Sequence, residues 1–196
     1  MKISKYVLPV VCLCTLSSCG SSVTRDEFIK YVRETEGHKY EKATVELVRE
    51  IDGLKDEGKC VFTLQNDKYV SDSDNPIAYS IRYYVGMTVN EVSFSENDFN
   101  IYEEDAKAKD SNAKISSGIK YYIKPYKVVG SFSASFSSDK TSGQTNVEYT
   151  YKFDKYGNLT FMETNMTYKS KVVEDGYKST TSEKNYYKLS ITYKDR

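Results

Sequence analysis

The residues able to do chemistry are few. His38 is the only histidine among 196 residues, so a Ser-His-Asp or Cys-His relay would have to run through it. It stands beside Gly37 among Glu36, Lys39 and Tyr40, where a helix is expected to end. There a charged imidazole serves the helix dipole rather than catalysis. A structural zinc site needs four thiolate or imidazole ligands. Outside the cluster Cys12, Cys14 and Cys19, the chain supplies only Cys60 and His38. Asp72, Asp74 and Asn75 could offer oxygens to calcium, but the turn glycine and bidentate glutamate of a calcium loop do not follow. A solvated loop is expected instead. Glu103-Glu104-Asp105 reads as a solvated charge run. Glycosidase acids meet in space rather than in sequence, so a carboxylate-dependent envelope hydrolase stays open as a third reading. No glycine-rich phosphate loop occurs, and neither cofactor nor metal is expected.

The clustered cysteines take their meaning from their surroundings. MKISK opens the chain, an apolar run extends from Tyr6 to Leu16, and small residues lead to Cys19. Basic start, short apolar run and small-residue zone describe a secretory signal peptide. About 11 apolar residues fall short of the roughly 20 that span a bilayer. Leu16-Ser17-Ser18-Cys19 resembles the bacterial lipobox. That resemblance implies cleavage before Cys19 and acylation of its sulfur (diacylglycerol, with palmitate-type chains). The expected organisation is a signal peptide at 1–18, a lipidated tether at 19–23 and one β-rich domain at 24–196. A single acyl chain holds a protein to a membrane only marginally, whereas two anchor it. The expected location is a cell membrane or outer membrane, on the extracytoplasmic side.

Losing Lys2 and Lys5 leaves 26 basic against 28 acidic residues, a net charge of −2. Nucleic acid demands a basic face, so no nucleic-acid partner is expected. Cys60 becomes the one thiol of the folded part and reads as core within KCVFTL, the alternative being a disulfide between chains. The sequence has no Trp but 19 Tyr and 8 Phe, a composition that favours strands.

Those residues must be positioned by elements the sequence outlines. Thr24 with Glu27 forms a capping box. Phe28, Tyr31 and Val32 share one helical face, and the helix should stop at Gly37. Strands are expected from Ala43 to Ile51 and Lys59 to Leu64, joined by turn chemistry at Asp52-Gly53 through Glu57-Gly58. Val70 to Pro76 reads as loop. From Pro76 to Val92, helix is favoured over strand. A short strand at Phe99 to Tyr102 and a charged connection from Glu103 to Asn112 follow. Strands at 119–124, 127–136, 146–154 and 159–169 lead to a polar, loop-like stretch at Ser170–Glu183 and a last strand through Tyr187, Leu189, Ile191 and Tyr193.

These segments predict an α+β, mostly β fold: a curved antiparallel sheet (half-barrel) of about eight strands packed on one or two helices. One-sided alternation belongs to a sheet covered on one face. By size and element order the chain is similar to the lipoprotein-carrier (LolA-like) half-barrel family, without a residue motif that carries over ligands. Val147, Tyr149, Tyr151 and Phe153, with Tyr187, Leu189, Ile191 and Tyr193, form the candidate lining of an apolar cavity. The function expected is non-enzymatic: a membrane-anchored lipoprotein binding an apolar ligand or an envelope protein. The alternative is a structural or adhesive surface lipoprotein.

Overall fold

A computed structural model describes residues 21–33, 36–74, 76–92, 94–174 and 176–195. The expected signal peptide and Cys19 lie outside the described residues. Strands β1 (Lys42–Ile51), β2 (Leu54–Gln65), β3 (Lys68–Ser71), β4 (Lys114–Tyr122), β5 (Lys127–Ser137), β6 (Thr141–Phe153), β7 (Leu159–Glu174) and β8 (Tyr177–Lys194) form one sheet. Helices are α1 (Arg25–Arg33), α2 (Pro76–Ile81) and α3 (Asn100–Lys109), with 3-10 turns at Arg82–Tyr84 and Glu96–Phe99. The sheet order is β3-β2-β1-β8-β7-β6-β5-β4, antiparallel throughout, curved and unclosed. This is the mostly β, half-barrel architecture that the alternation predicts.

The first and last strands of the domain meet mid-sheet, with Val45 opposite Ile191 and Leu47 opposite Leu189. That pairing leaves β3 and β4 as the two edges. Asp52 and Gly53 both have positive φ (50° and 83°) and close a two-residue hairpin, the backbone that matches strand twist. β2 therefore starts at Leu54, ahead of the expected Lys59, and the expected turn through Gly58 is strand.

The inner face of the sheet is the core. Beneath α1, α3 and the Glu96–Phe99 turn lie Val128, Phe132, Val147, Tyr149, Phe153 and Leu159. Beneath α2 lie Val45, Leu47, Phe62, Leu189 and Ile191. α1 begins with the capping box. The Thr24 amide donates to Glu27 Oε2 at 2.9 Å, and the Glu27 amide donates to Thr24 Oγ1 at 3.2 Å. α1 buries Phe28 and Val32. Phe28 meets Phe94, Tyr121 and Phe153 with ring centroids 6.0, 5.6 and 6.4 Å apart. Tyr31, expected on that face, is 40% exposed and leans on Tyr126.

Six further local expectations are corrected. Ser170–Glu183 is strand, the paired arms of β7 and β8, with Lys171 opposite Thr180. β3 occupies part of the expected 70–76 loop. Residues 76–92 are neither one helix nor a strand: α2 stops at Ile81, a 3-10 turn follows, and Gly86 (φ 78°) turns the chain away. Phe99 to Tyr102 is helical, and the charged 103–112 connection is mostly α3, held by Glu103–Lys107 and Asp105–Lys109 pairs. His38 stands between α1 and β1 rather than at a helix end.

The register also orients the body. The β2–β3, β4–β5 and β6–β7 turns lie at one end, with the start of β1 and the end of β8. The chain enters at this same end, where the Val23 amide donates to the Tyr121 carbonyl at 2.9 Å.

Candidate functional site

The eight residues read as a cavity lining do share the inner face. Tyr151 and Leu189 flank Met162, and Tyr149 and Tyr187 flank Thr164. Val147, Tyr149, Phe153, Leu189 and Ile191 are buried; Tyr151, Tyr187 and Tyr193 are half-buried. They are the floor under the helices. Tyr149 stacks on Phe99 at 5.6 Å, and Tyr193 stacks on Tyr40 at 4.7 Å. Burial, chiefly, pushes the Tyr187 hydroxyl up to about 12.

The other expected candidates are placed as follows. Cys60 is buried, with its thiol pushed up by burial. Asp72 and Asp74 are exposed, and among the described residues no group of three or more acidic, His or Cys side chains could hold a metal. His38 Nε2 lies 2.9 Å from Asp195 Oδ1. Its ring stacks on Tyr156 at 4.9 Å and meets Tyr40 edge-on at 4.4 Å. The Tyr40 hydroxyl donates to Asp154 at 2.7 Å, and burial first, then that carboxylate, raises its pKa. Asp154 also accepts the amides of Tyr156 and Asn158. His38 thus belongs to an aromatic and acidic cluster that ties the β6–β7 turn to the chain entering β1.

Beside this cluster opens a cleft the sequence did not announce. One half, about 590 Å³, is bounded by His38, Lys39, Asp67, Tyr69, Tyr83 and Gly86. The other, about 290 Å³, is lined by Phe62, Val70, Ser71, Asp74, Ala78 and Tyr79. Lys68, Tyr69 and Arg82 border both halves. The Tyr69 hydroxyl donates to the Tyr40 carbonyl at 2.9 Å. Its ring lies so close to Gly86 that a Cβ there would sit 2.7 Å from it. The Gly86 amide donates to Tyr193 Oη at 2.9 Å, so this wall is rigid.

The outer wall differs. Tyr79 and Tyr83 are 60% and 65% exposed. The Arg82 guanidinium lies over both rings, at 5.6 and 4.7 Å, and donates to Tyr83 Oη at 2.7 Å. Lys39 pairs with Asp67; among the described residues neither Lys68 nor Arg82 has a carboxylate within 4.0 Å.

No family model, curated protein or solved structure matches this chain.

The cleft therefore rests on its own chemistry. Guanidinium stacked on tyrosine presents planar donors to a carboxylate or phosphate, and the tyrosine faces offer apolar contact with a wet rim. Carboxylate chemistry finds less support here. Asp67 and Asp74 stand at opposite ends of β3, whose four residues alone span about 10 Å, against the roughly 5–9.5 Å of glycosidase acids. The signal for the cleft was present in TYR-rich Tyr79-Ser80-Ile81-Arg82-Tyr83-Tyr84, which puts aromatics and a cation within one turn of each other. Its significance depends on β3 lying opposite.

Proposed function

We propose that this protein is a non-enzymatic, lipid-anchored envelope lipoprotein whose folded body binds a partner at the cleft between β3 and the Tyr79–Tyr83 segment. The observation that carries the reading is the juxtaposition of Lys68 and Arg82, without a carboxylate partner among the described residues, with the exposed rings of Tyr79 and Tyr83. Clustered exposed apolar surface with a polar rim marks interaction sites. The inner face, by contrast, is filled by its own helices, which favours a partner at the rim over an apolar ligand within the sheet.

The lipobox resemblance supplies the address. From Cys19 to Val23 the tether reaches at most about 14 Å, so an acylated Cys19 would hold the β2–β3 end close to the bilayer. Two measurements test the proposal. Mass spectrometry of the protein from its native membrane should find residues 1–18 removed and Cys19 acylated, and Cys19→Ala should move the protein to the soluble fraction. Arg82→Glu and Tyr83→Ala, both on exposed residues, should remove partner binding while far-UV circular dichroism stays unchanged. An intact signal peptide with an unmodified Cys19 sinks the anchor, and unchanged binding in both variants sinks the cleft.

A further inference from the structure

β3 is an edge strand whose free side is defined by the ladder. The Leu64 amide donates to Glu41, toward β1, and the Asp72 amide donates to Val61, toward β2. Peptide groups alternate sides along a strand, so Lys68 and Val70 are directed to β2, while Tyr69 and Ser71 present amide and carbonyl outward. Those outward groups have no partner among the described residues. Side chains alternate in the same way: Tyr69 and Ser71 face inward, and Lys68, Val70 and Asp72 face the outer side.

We propose that β3 pairs with β3 of a second copy, antiparallel and centred on Val70, joining two sheets into one. Only a few registers bring outward peptide groups opposite each other. The one with Val70 on the two-fold axis sets Tyr69 opposite the partner's Ser71 at both hydrogen-bonded positions. It also sets Lys68 opposite the partner's Asp72, twice. Neither Lys68 nor Asp72 has an ion pair within its own chain among the described residues. Opposite charges directly across strands stabilise such a pair. The axis falls on Val70, 44% exposed, so two valines meet where a mismatch of charge would otherwise sit. A two-fold contact of one patch with itself is the commonest way soluble chains associate. With Tyr69 on Tyr69, Lys68 falls opposite Val70; with Ser71 on Ser71, Asp72 falls opposite Val70 and Lys68 meets an acid only at Asp74, beyond the end of β3. Both tethers reach one bilayer when the strands lie along it, and confinement there raises the effective concentration of the two copies. The contact shares Lys68 with the cleft, so the two are tested apart, the contact through Val70 and the cleft through Arg82 and Tyr83.

The register is testable in the full-length protein in its own membrane. Val70 and its symmetry mate form a non-hydrogen-bonded pair, with Cα atoms about 4.5 Å apart, within the span a disulfide needs. Val70→Cys should yield a reducible dimer on a non-reducing gel. Leu54→Cys, at the far end of the sheet and 80% exposed, reports random collisions and should yield several-fold less. Lys68→Asp in the Val70→Cys background should lower the dimer severalfold, and adding Asp72→Lys should restore it. A dimer yield no higher than that of Leu54→Cys overturns the proposal. So does a double charge reversal no better than the single one, because that separates the stated register from a non-specific contact. Unchanged partner binding in Arg82→Glu with the Val70 crosslink intact would count against the cleft alone.

Discussion

Asn158 grips His38 through both of its backbone groups: the His38 amide donates to Asn158 Oδ1 at 2.8 Å, and Asn158 Nδ2 donates to the His38 carbonyl at 3.1 Å. Asn158 is 2% exposed, so one buried side chain fastens the β6–β7 turn to the segment that enters β1.

Asn158→Ala should cost about 2–4 kcal/mol, because two backbone groups lose their partners where water cannot replace them. Asn158→Asp keeps the acceptor and loses the donor, and should fall between. Urea unfolding followed by tyrosine fluorescence measures both. A cost under about 0.5 kcal/mol, the range of ordinary surface changes, would show that the grip contributes nothing.

Tyr149 and Gly130 are opposite each other on β6 and β5, and the tyrosine ring lies over the glycine. A Cβ on residue 130 would stand 2.2 Å from Tyr149 Cζ. Gly130→Ala should therefore destabilise by about 1–3 kcal/mol through overpacking. Tyr149 Oη is buried without a hydrogen-bond partner among the described residues. Tyr149→Phe should be neutral or stabilising by up to about 1 kcal/mol, since an unmet hydroxyl costs free energy when buried. Thermal melts of the two variants should move in opposite directions or leave Tyr149→Phe unmoved; equal losses would contradict the packing described.

Asp110 follows α3 and accepts the amides of Ser137, at 3.0 Å, and Asn112, at 2.8 Å. Those two donors hold its carboxyl below the usual range. A folded pKa below the unfolded one gives stability that is present above the unfolded pKa and lost as pH falls through the folded one. Stability should thus decline on acidification below about pH 4, and Asp110→Asn should flatten part of that decline. Denaturant titrations at a series of acidic pH values test it; identical slopes for the two proteins would refute the assignment.

Cys60 is 2% exposed with its thiol raised by burial, and thiolate is the reactive form. Alkylating reagents should leave it untouched in the native protein and modify it fully after denaturation. Fast native labelling, or a native dimer bridged through Cys60, would mean that the strand opens.

Where periodicity is uninterrupted and one face is wet, the local sequence carried the structure. The Thr24–Glu27 capping box forms as its spacing requires. β6 buries Val147, Tyr149 and Phe153 and exposes Glu148 and Lys152, because alternation with a polar partner face admits only one register. α3 was legible in principle: Glu103–Lys107 and Asp105–Lys109 carry helical i, i+4 spacing. The arms of β7 and β8 were not. Lys178 to Ser182 are exposed on both faces, so no contrast between faces marks them as strand, and only the ladder holds them there.

The chain alone, then, determines the capped first helix and the strands with one dry face, because each follows from neighbours within a few residues. The cleft and the β3 edge belong to the tertiary structure. Lys68 and Arg82 are far enough apart in sequence that no local pattern relates them, and Tyr69 becomes a wall only against Gly86 and Tyr193. Edge status itself has no sequence signature here: β3 is exposed because β8 pairs with β1 in the middle of the sheet and leaves nothing further to cover it.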